Sequence, residues 1–290
     1  MVLLNYKKVM IYFISLFLAY PLNTLANDTE GYFAAGGIEL KKNENIEMLS
    51  EDLYISEDKI EVNYVFKNKI DKDIKTTVFF PLPPLVIVDS RILNAQRDLA
   101  DGNINFHVWV NDRVVTTNYH KKVARGAELE RLKSKYIDEY DEDSAFVTHA
   151  FYWDQTFPAG NTVKVRHTYK PMVGTGVPQP IEFLLDGTLD YSKAYCLDET
   201  TKSAIKKKIK LGYKSVFLTN IGYILTTGGN WAGGTIKDFR LVVDKGKPDN
   251  LISFCGDDVK KISSTQFEIK AQNYRPKNDL SILILNGWEK

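Results

Sequence analysis

Four histidines, a run of carboxylates, a glycine-rich loop around one tryptophan and two cysteines are where this chain carries chemistry-bearing residue types. Imidazoles on neighbouring strands bind zinc or act as general bases. His107, His120, His149 and His167 have no i, i+2 or i, i+4 spacing between them, so hydrogen-bonded structural histidines are the simpler expectation. Carboxylates on a flexible loop bind calcium, and Asp138-Glu139-Tyr140-Asp141-Glu142-Asp143 offers five. It lacks the Asp-x-Asp-x-Asp-Gly order and the distal glutamate of an EF-hand, and a lysine-rich segment precedes it, so a solvated loop is expected. No metal or cofactor is assigned.

The segment Gly228-Gly229-Asn230-Trp231-Ala232-Gly233-Gly234 is the least ordinary. Its glycines allow close backbone approach and positive φ values. In one role Trp231, flanked by Asn230 and Gly229, stacks on a sugar, peptide or aromatic ligand. In the other, the segment is a long turn whose indole folds back on the core. Trp153, beside Gln155-Thr156-Phe157-Pro158, is a second ligand candidate for which packing is the simpler role. The chain has no G-x-S-x-G elbow, H-E-x-x-H, Walker loop or dinucleotide fingerprint, and no catalytic residue is assigned.

Alternation with period 2 dominates the elements that must position these groups. Ile60, Val62, Tyr64 and Phe66 share one face of a strand, as do Val163, Val165, His167 and Tyr169. A strand from Asp73 to Phe80 is expected to stop at Pro81, Pro83 and Pro84. Ile104–Val110, the turn Asn111-Asp112, and Arg113–Tyr119 predict a hairpin. One helix is predicted from His120 to Ile137 and a short one from Asp198 to Lys208. Further strands are predicted at Tyr223–Thr227, Phe239–Asp244 and Gln266–Ala271. The continuous apolar run near the end of Asp279–Leu285 predicts a strand buried on both faces. Val173–Pro180, with two glycines and two prolines, is expected to be a linker.

The first 26 residues have the layout of a cleavable export signal. Lys7 and Lys8 form a basic head, Val9–Tyr20 is apolar except for Ser15, and Thr24-Leu25-Ala26 puts small residues at the peptidase positions. The run is shorter than the about 20 apolar residues of a spanning helix. No transmembrane segment is expected after cleavage, and the first mature residue is Asn27 rather than a lipid-bearing cysteine. The full sequence has 38 Lys+Arg against 37 Asp+Glu, and that balance argues against a nucleic-acid binder. In an oxidising compartment the pair Cys196 and Cys255 is most simply one structural bridge. Two buried thiols or a redox pair are the alternatives, the latter without C-x-x-C spacing.

Several stretches carry a family resemblance: Gly36-Gly37-Ile38, Met48–Ser56, Phe79–Pro84, Gln155–Gly160, Tyr195–Asp198, Thr226–Trp231 with Phe239-Arg240-Leu241, and Ser253-Phe254-Cys255. Together they resemble a secreted bacterial family known as domain of unknown function four-four-two-four. The resemblance implies a periplasmic or secreted location, a bacterial source and paired cysteines at 196 and 255. It implies no activity. The strand into Phe-Pro-Leu-Pro, the helix before Tyr136 and Phe-Pro-Ala-Gly also resemble the vault/inter-alpha-trypsin β-sandwich domain, generally an interaction module.

The expected fold is mainly β. An N-terminal β-sandwich with one inserted helix (residues 27–175) precedes a β-rich, disulfide-containing domain with a short helix (176–290). The expected function is non-enzymatic binding of an envelope protein, peptide or glycan. The alternative is an envelope hydrolase or glycan-modifying enzyme built on His149, His167 and carboxylates.

Overall fold

The computed structural model describes residues 27–34, 37–87, 102–136, 145–189 and 191–290. The expected signal and the acidic run Asp138–Asp143 lie outside the described residues. The first half runs β1 (Thr29–Ala34), β2 (Gly37–Lys41), β3 (Ile46–Ile55), β4 (Ile60–Asn68), β5 (Ile74–Ile87), β6 (His107–Val110), β7 (Arg113–Val115) and β8 (Asn118–Val123). Helix α1 (Gly126–Tyr136), β9 (Ala145–Phe157), β10 (Thr162–Tyr169), β11 (Val173–Thr175) and β12 (Gln179–Pro180) follow. The remainder is α2 (Glu199–Lys210), β13 (Ser215–Tyr223), β14 (Ile236–Asp244), β15 (Leu251–Phe254), β16 (Lys260–Lys261), β17 (Gln266–Tyr274) and β18 (Leu280–Glu289).

The protein is mainly β, with three sheets. Eight strands run in the order β16-β17-β14-β3-β4-β10-β6-β7. Two five-stranded sheets, β2-β1-β5-β9-β8 and β11-β13-β18-β15 with β12 also pairing β13, pack on its inner face. The alternating strands supply that face: Ile60, Val62, Tyr64 and Phe66 from β4, and Val163, Val165, His167 and Tyr169 from β10 are all buried. The stretch of β18 from Ile282 to Leu285 is buried on both faces. Ile282 and Ile284 enter this main core, while Leu283 and Leu285 enter a second core beneath α2 with Ile205, Val216 and Leu218.

The halves are not separated at residue 176. Strand β14 lies parallel to β3, with Leu241 opposite Leu53, so the largest sheet takes strands from both sides of that position. Nor is Val173–Pro180 a free linker, because β11 and β12 both pair with β13.

Three element boundaries differ from expectation for local reasons. Strand β5 continues through Pro81, Pro83 and Pro84. Strand β1 pairs with it only at Thr77–Phe79, and the register with β9 shifts between Leu82 and Leu85. The prolines thus meet a bulge and an edge without a neighbour, where a missing N–H costs little. The segment expected to open the first helix is strand β8, paired from Asn118 to Val123 with β9. Helix α1 begins only at Gly126, whose φ of 56° breaks the strand. In place of a strand at Tyr223–Thr227, β13 ends at Tyr223 and a 3-10 turn spans Thr226–Asn230. The hairpin turn is as the residues dictate: Asn111 and Asp112 both have positive φ, 47° and 64°, the requirement of a two-residue type I′ connection.

Helix α2 is capped by Asp198, whose side chain accepts the Thr201 N–H at 2.7 Å. Two residues earlier Cys196 is disulfide-bonded to Cys255, with α-carbons 5.0 Å apart.

Candidate functional site

Ionisable groups gather inside the main core, where the two shorter sheets meet the eight-stranded one. Tyr64 and His167 arrive by strand alternation. Glu51 arrives by an irregularity: the β3–β4 register shifts between Met48 and Ser50. That bulge changes the phase of β3, so Ile46 and Met48 face inward before it and Glu51 and Leu53 after it. Glu51 then lies opposite Tyr64. Tyr223 reaches the same point from β13, and Asn27 and Asp28 enter just ahead of β1. All six residues are buried, His167, Asn27 and Asp28 fully so.

The contacts form one network. The Asn27 amide donates to Glu51 Oε2 at 2.8 Å, and its carbonyl oxygen accepts from the Tyr64 hydroxyl. The Tyr64 and Tyr223 hydroxyls are 3.0 Å apart, and Tyr223 donates to Glu51 Oε1 at 3.4 Å. Asp28 Oδ2 lies 3.3 Å from His167 Nε2. That contact is within ion-pair distance but off the hydrogen-bond direction, and Asp28 Oδ1 and His167 Nδ1 have no hydrogen-bond partner among the described residues.

Burial strips water from each group and disfavours its charged form. It carries Glu51 from 4.5 to about 8, opposed by the Asn27 bond and reinforced by the charge of Asp28. It also raises Asp28, against the attraction of His167. Burial first pushes the hydroxyls of Tyr64 and Tyr223 well above the ordinary phenol range, helped by the charges of Tyr223 and Glu51 at Tyr64 and by those of Glu51 and Tyr169 at Tyr223.

For a carboxyl raised on folding, the folded chain keeps a proton that the unfolded chain has released. Stability is therefore full below the unfolded value and declines as pH rises through the folded one. With residue 27 in peptide linkage, the urea midpoint is expected to fall between about pH 4.5 and 8. Glu51→Gln should flatten that fall. Parallel profiles for the two chains would show that Glu51 contributes nothing to it.

The four residues expected to bind a ligand border this network. Trp231 is 2% exposed. Its indole N–H donates to the Asp28 carbonyl at 2.6 Å, and its ring packs on Phe66 and Phe157 at 4.9 and 6.1 Å. A ring enclosed in this way has no open face on which a ligand could stack. The Asn230 amide donates to Thr29 Oγ1 at 3.1 Å, and Gly229 faces the Gly234 carbonyl across the turn. Trp153 is also 2% exposed, with its ring edge-on to His167 at 5.2 Å. Close approach requires glycine at 228, since a β-carbon there would lie 2.9 Å from the Asn27 amide nitrogen.

The other histidines stand apart. His149 Nε2–H donates to the Pro83 carbonyl and its Nδ1 meets the Tyr119 hydroxyl, both at 2.8 Å. Burial lowers its pKa to about 4, against the pull of that carbonyl. His120 packs edge-on to Phe33. His107 is exposed beside Trp109. Among the described residues no group of three or more His, Cys, Asp or Glu is arranged to hold a metal ion.

No curated protein matches the sequence. One similar solved structure is a Legionella pneumophila protein provisionally named a nutrient binding protein: 16% identity, 89% of this chain and 69% of that one, TM-score 0.48. Another is a variant M1 zinc metallopeptidase from Deinococcus radiodurans bound to a Tyr-Ser-Ala substrate: 9% identity, 83% and 43% coverage, TM-score 0.25. Neither likeness bears on function. The family comparison does reach the network, because it spans Asp28, Glu51 and the loop that holds Trp231. A family model matches residues 26–131 and 128–283, and the chain belongs to the family described as Domain of unknown function (DUF4424).

Proposed function

We propose that the chain is an exported bacterial envelope protein that acts as a non-enzymatic binding module for a protein, peptide or glycan partner. One observation carries the reading. Its most concentrated acid–base groups, Asp28, Glu51, His167 and the two tyrosines, are sealed between sheets, where no substrate reaches them. An active site needs its groups at a cleft, whereas these serve the packing of three sheets. The signal-like first 26 residues support export.

The surface available for binding is the outer face of the eight-stranded sheet. Trp109, Arg166, Asn63, Asp52, Arg240 and Lys270 are successive cross-strand neighbours over six strands. The Arg166 guanidinium stacks on the Trp109 ring at 3.7 Å, giving a rigid, partly exposed aromatic–cation pair. Trp and Arg of this kind dominate binding energies.

The purified protein is expected to turn over nothing in hydrolase and oxidoreductase screens and to be cross-linked to a specific envelope partner. Combined Trp109→Ala and Arg166→Ala should weaken that capture at least ~10-fold. Turnover abolished by substituting His149 or His167 would overturn the reading.

A further inference from the structure

Two carboxylates share the main core, and among the described residues the only ion pair that either makes is the contact of Asp28 with His167. Glu51 is held by the Asn27 amide and the Tyr223 hydroxyl, both neutral donors. The titratable groups coupled to this pair are His167 from β10, whose charge acts on Asp28, and Tyr64 from β4, Tyr223 from β13 and Tyr274 from β17, which feel the charge of Glu51. None of them gives Glu51 a cation. A buried carboxylate without one is costly.

We propose that cleavage between Ala26 and Asn27 supplies the missing cation, by turning the residue-27 nitrogen into an α-ammonium that stays in the core beside Glu51 and Asp28. This rests on the export reading above. The reaction is peptide hydrolysis by an envelope signal peptidase. Water attacks the Ala26 carbonyl, the C–N bond breaks, and Ala26 departs as a carboxylate with the leader. The Asn27 nitrogen takes up protons to become an ammonium, a charge that nearby carboxylates favour against the cost of burial.

Residues 27–29 are fixed where the proposal needs them. Asn27 is fully buried, bonded to Glu51 and Tyr64, and pressed against Gly228. The Asp28 carbonyl is held by Trp231 and the Thr29 hydroxyl by Asn230. The α-nitrogen is joined through one carbon to the side chain that already touches Glu51, and residue 27 is fully buried, so a charge there lies inside the core that holds Glu51 and Asp28. Removal of the leader thereby completes the core electrostatically.

The test compares chains beginning at Asn27 with chains that retain Leu25-Ala26. The extension is expected to lower Tm by about 10 °C and to restore the decline in stability between about pH 4.5 and 8 that the processed chain lacks. Glu51→Gln should remove most of the Tm difference. In the native processed protein an amine-acylating reagent should modify exposed lysines but leave the α-amine unmodified until the chain unfolds. Equal Tm values, a difference unchanged by Glu51→Gln, or an α-amine as reactive as the lysines would overturn the proposal. Mass spectrometry of envelope-recovered protein separates the two failures. A retained leader removes the export reading and this proposal with it, whereas a reactive α-amine on a chain beginning at Asn27 removes this proposal alone.

Discussion

Replacing Trp231 with alanine is expected to destabilise the protein by about 3–5 kcal/mol, enough to endanger folding in a chain with ordinary net stability of about 5–15 kcal/mol. The ring packs on Phe66 and Phe157 and is 2% exposed, so its removal leaves a cavity where the shorter sheets meet the large one. The substitution also unbinds the Asp28 carbonyl from its indole donor. Trp231→Phe separates the two effects: it restores much of the ring but not the donor, and should cost about 1–3 kcal/mol. Trp109→Ala, on the outer face, is the control and should stay within about 1 kcal/mol. Urea unfolding followed by circular dichroism measures all three. If Trp231→Ala unfolded at the parent's midpoint, the indole would not be part of the core.

What the sequence made legible is what repeats at short range. The alternations in β4 and β10 are visible because residues i, i+2 and i+4 share a face, and they correctly place Tyr64 and His167 on buried faces. The apolar run of β18 announces burial on both sides for the same reason. The Asn-Asp turn is local chemistry, and it is found where the residues put it.

The site itself depends on features with no short-range signature. Glu51 is interior only because a bulge shifts the phase of β3. An unbroken alternation with Ile46 and Met48 would send residue 51 to solvent. Leu53 and Ile55 do mark the change of phase, and that is the signal by which it is locatable. Asn27 and Asp28 read as ordinary polar residues following a leader. Their burial comes from partners far along the chain, Tyr223 and Trp231 among them. The parallel pairing of β3 with β14 brings together residues such as Leu53 and Leu241, and no periodicity encodes it. The helix expected from His120 was misplaced for a related reason. Apolar residues at helical spacing continue through Val123, but pairing with β9 holds that segment extended.

Converting both cysteines to serine is expected to cost about 4 kcal/mol in the chain-entropy model, for a bridge closing a sequence separation of 59. The loss should fall unevenly. The bridge ties the segment before α2 to the end of β15, directly beside the second core. Tyr195 and Leu197, on either side of Cys196, are buried there with Ile205 and Leu283, and Ser253 donates to the Tyr195 carbonyl at 2.9 Å. Without the covalent tie, the described part of residues 181–197 is held over the third sheet by noncovalent contacts such as these. Hydrogen exchange should therefore rise first in α2 and the segment preceding it, while β4 and β10 in the main core stay protected. Both cysteines are exposed, so a mild reductant should produce the same change in the unmodified chain, together with two titratable thiols. A fully reduced protein with unchanged Tm and unchanged exchange in α2 would show that the second core holds that segment without the bridge.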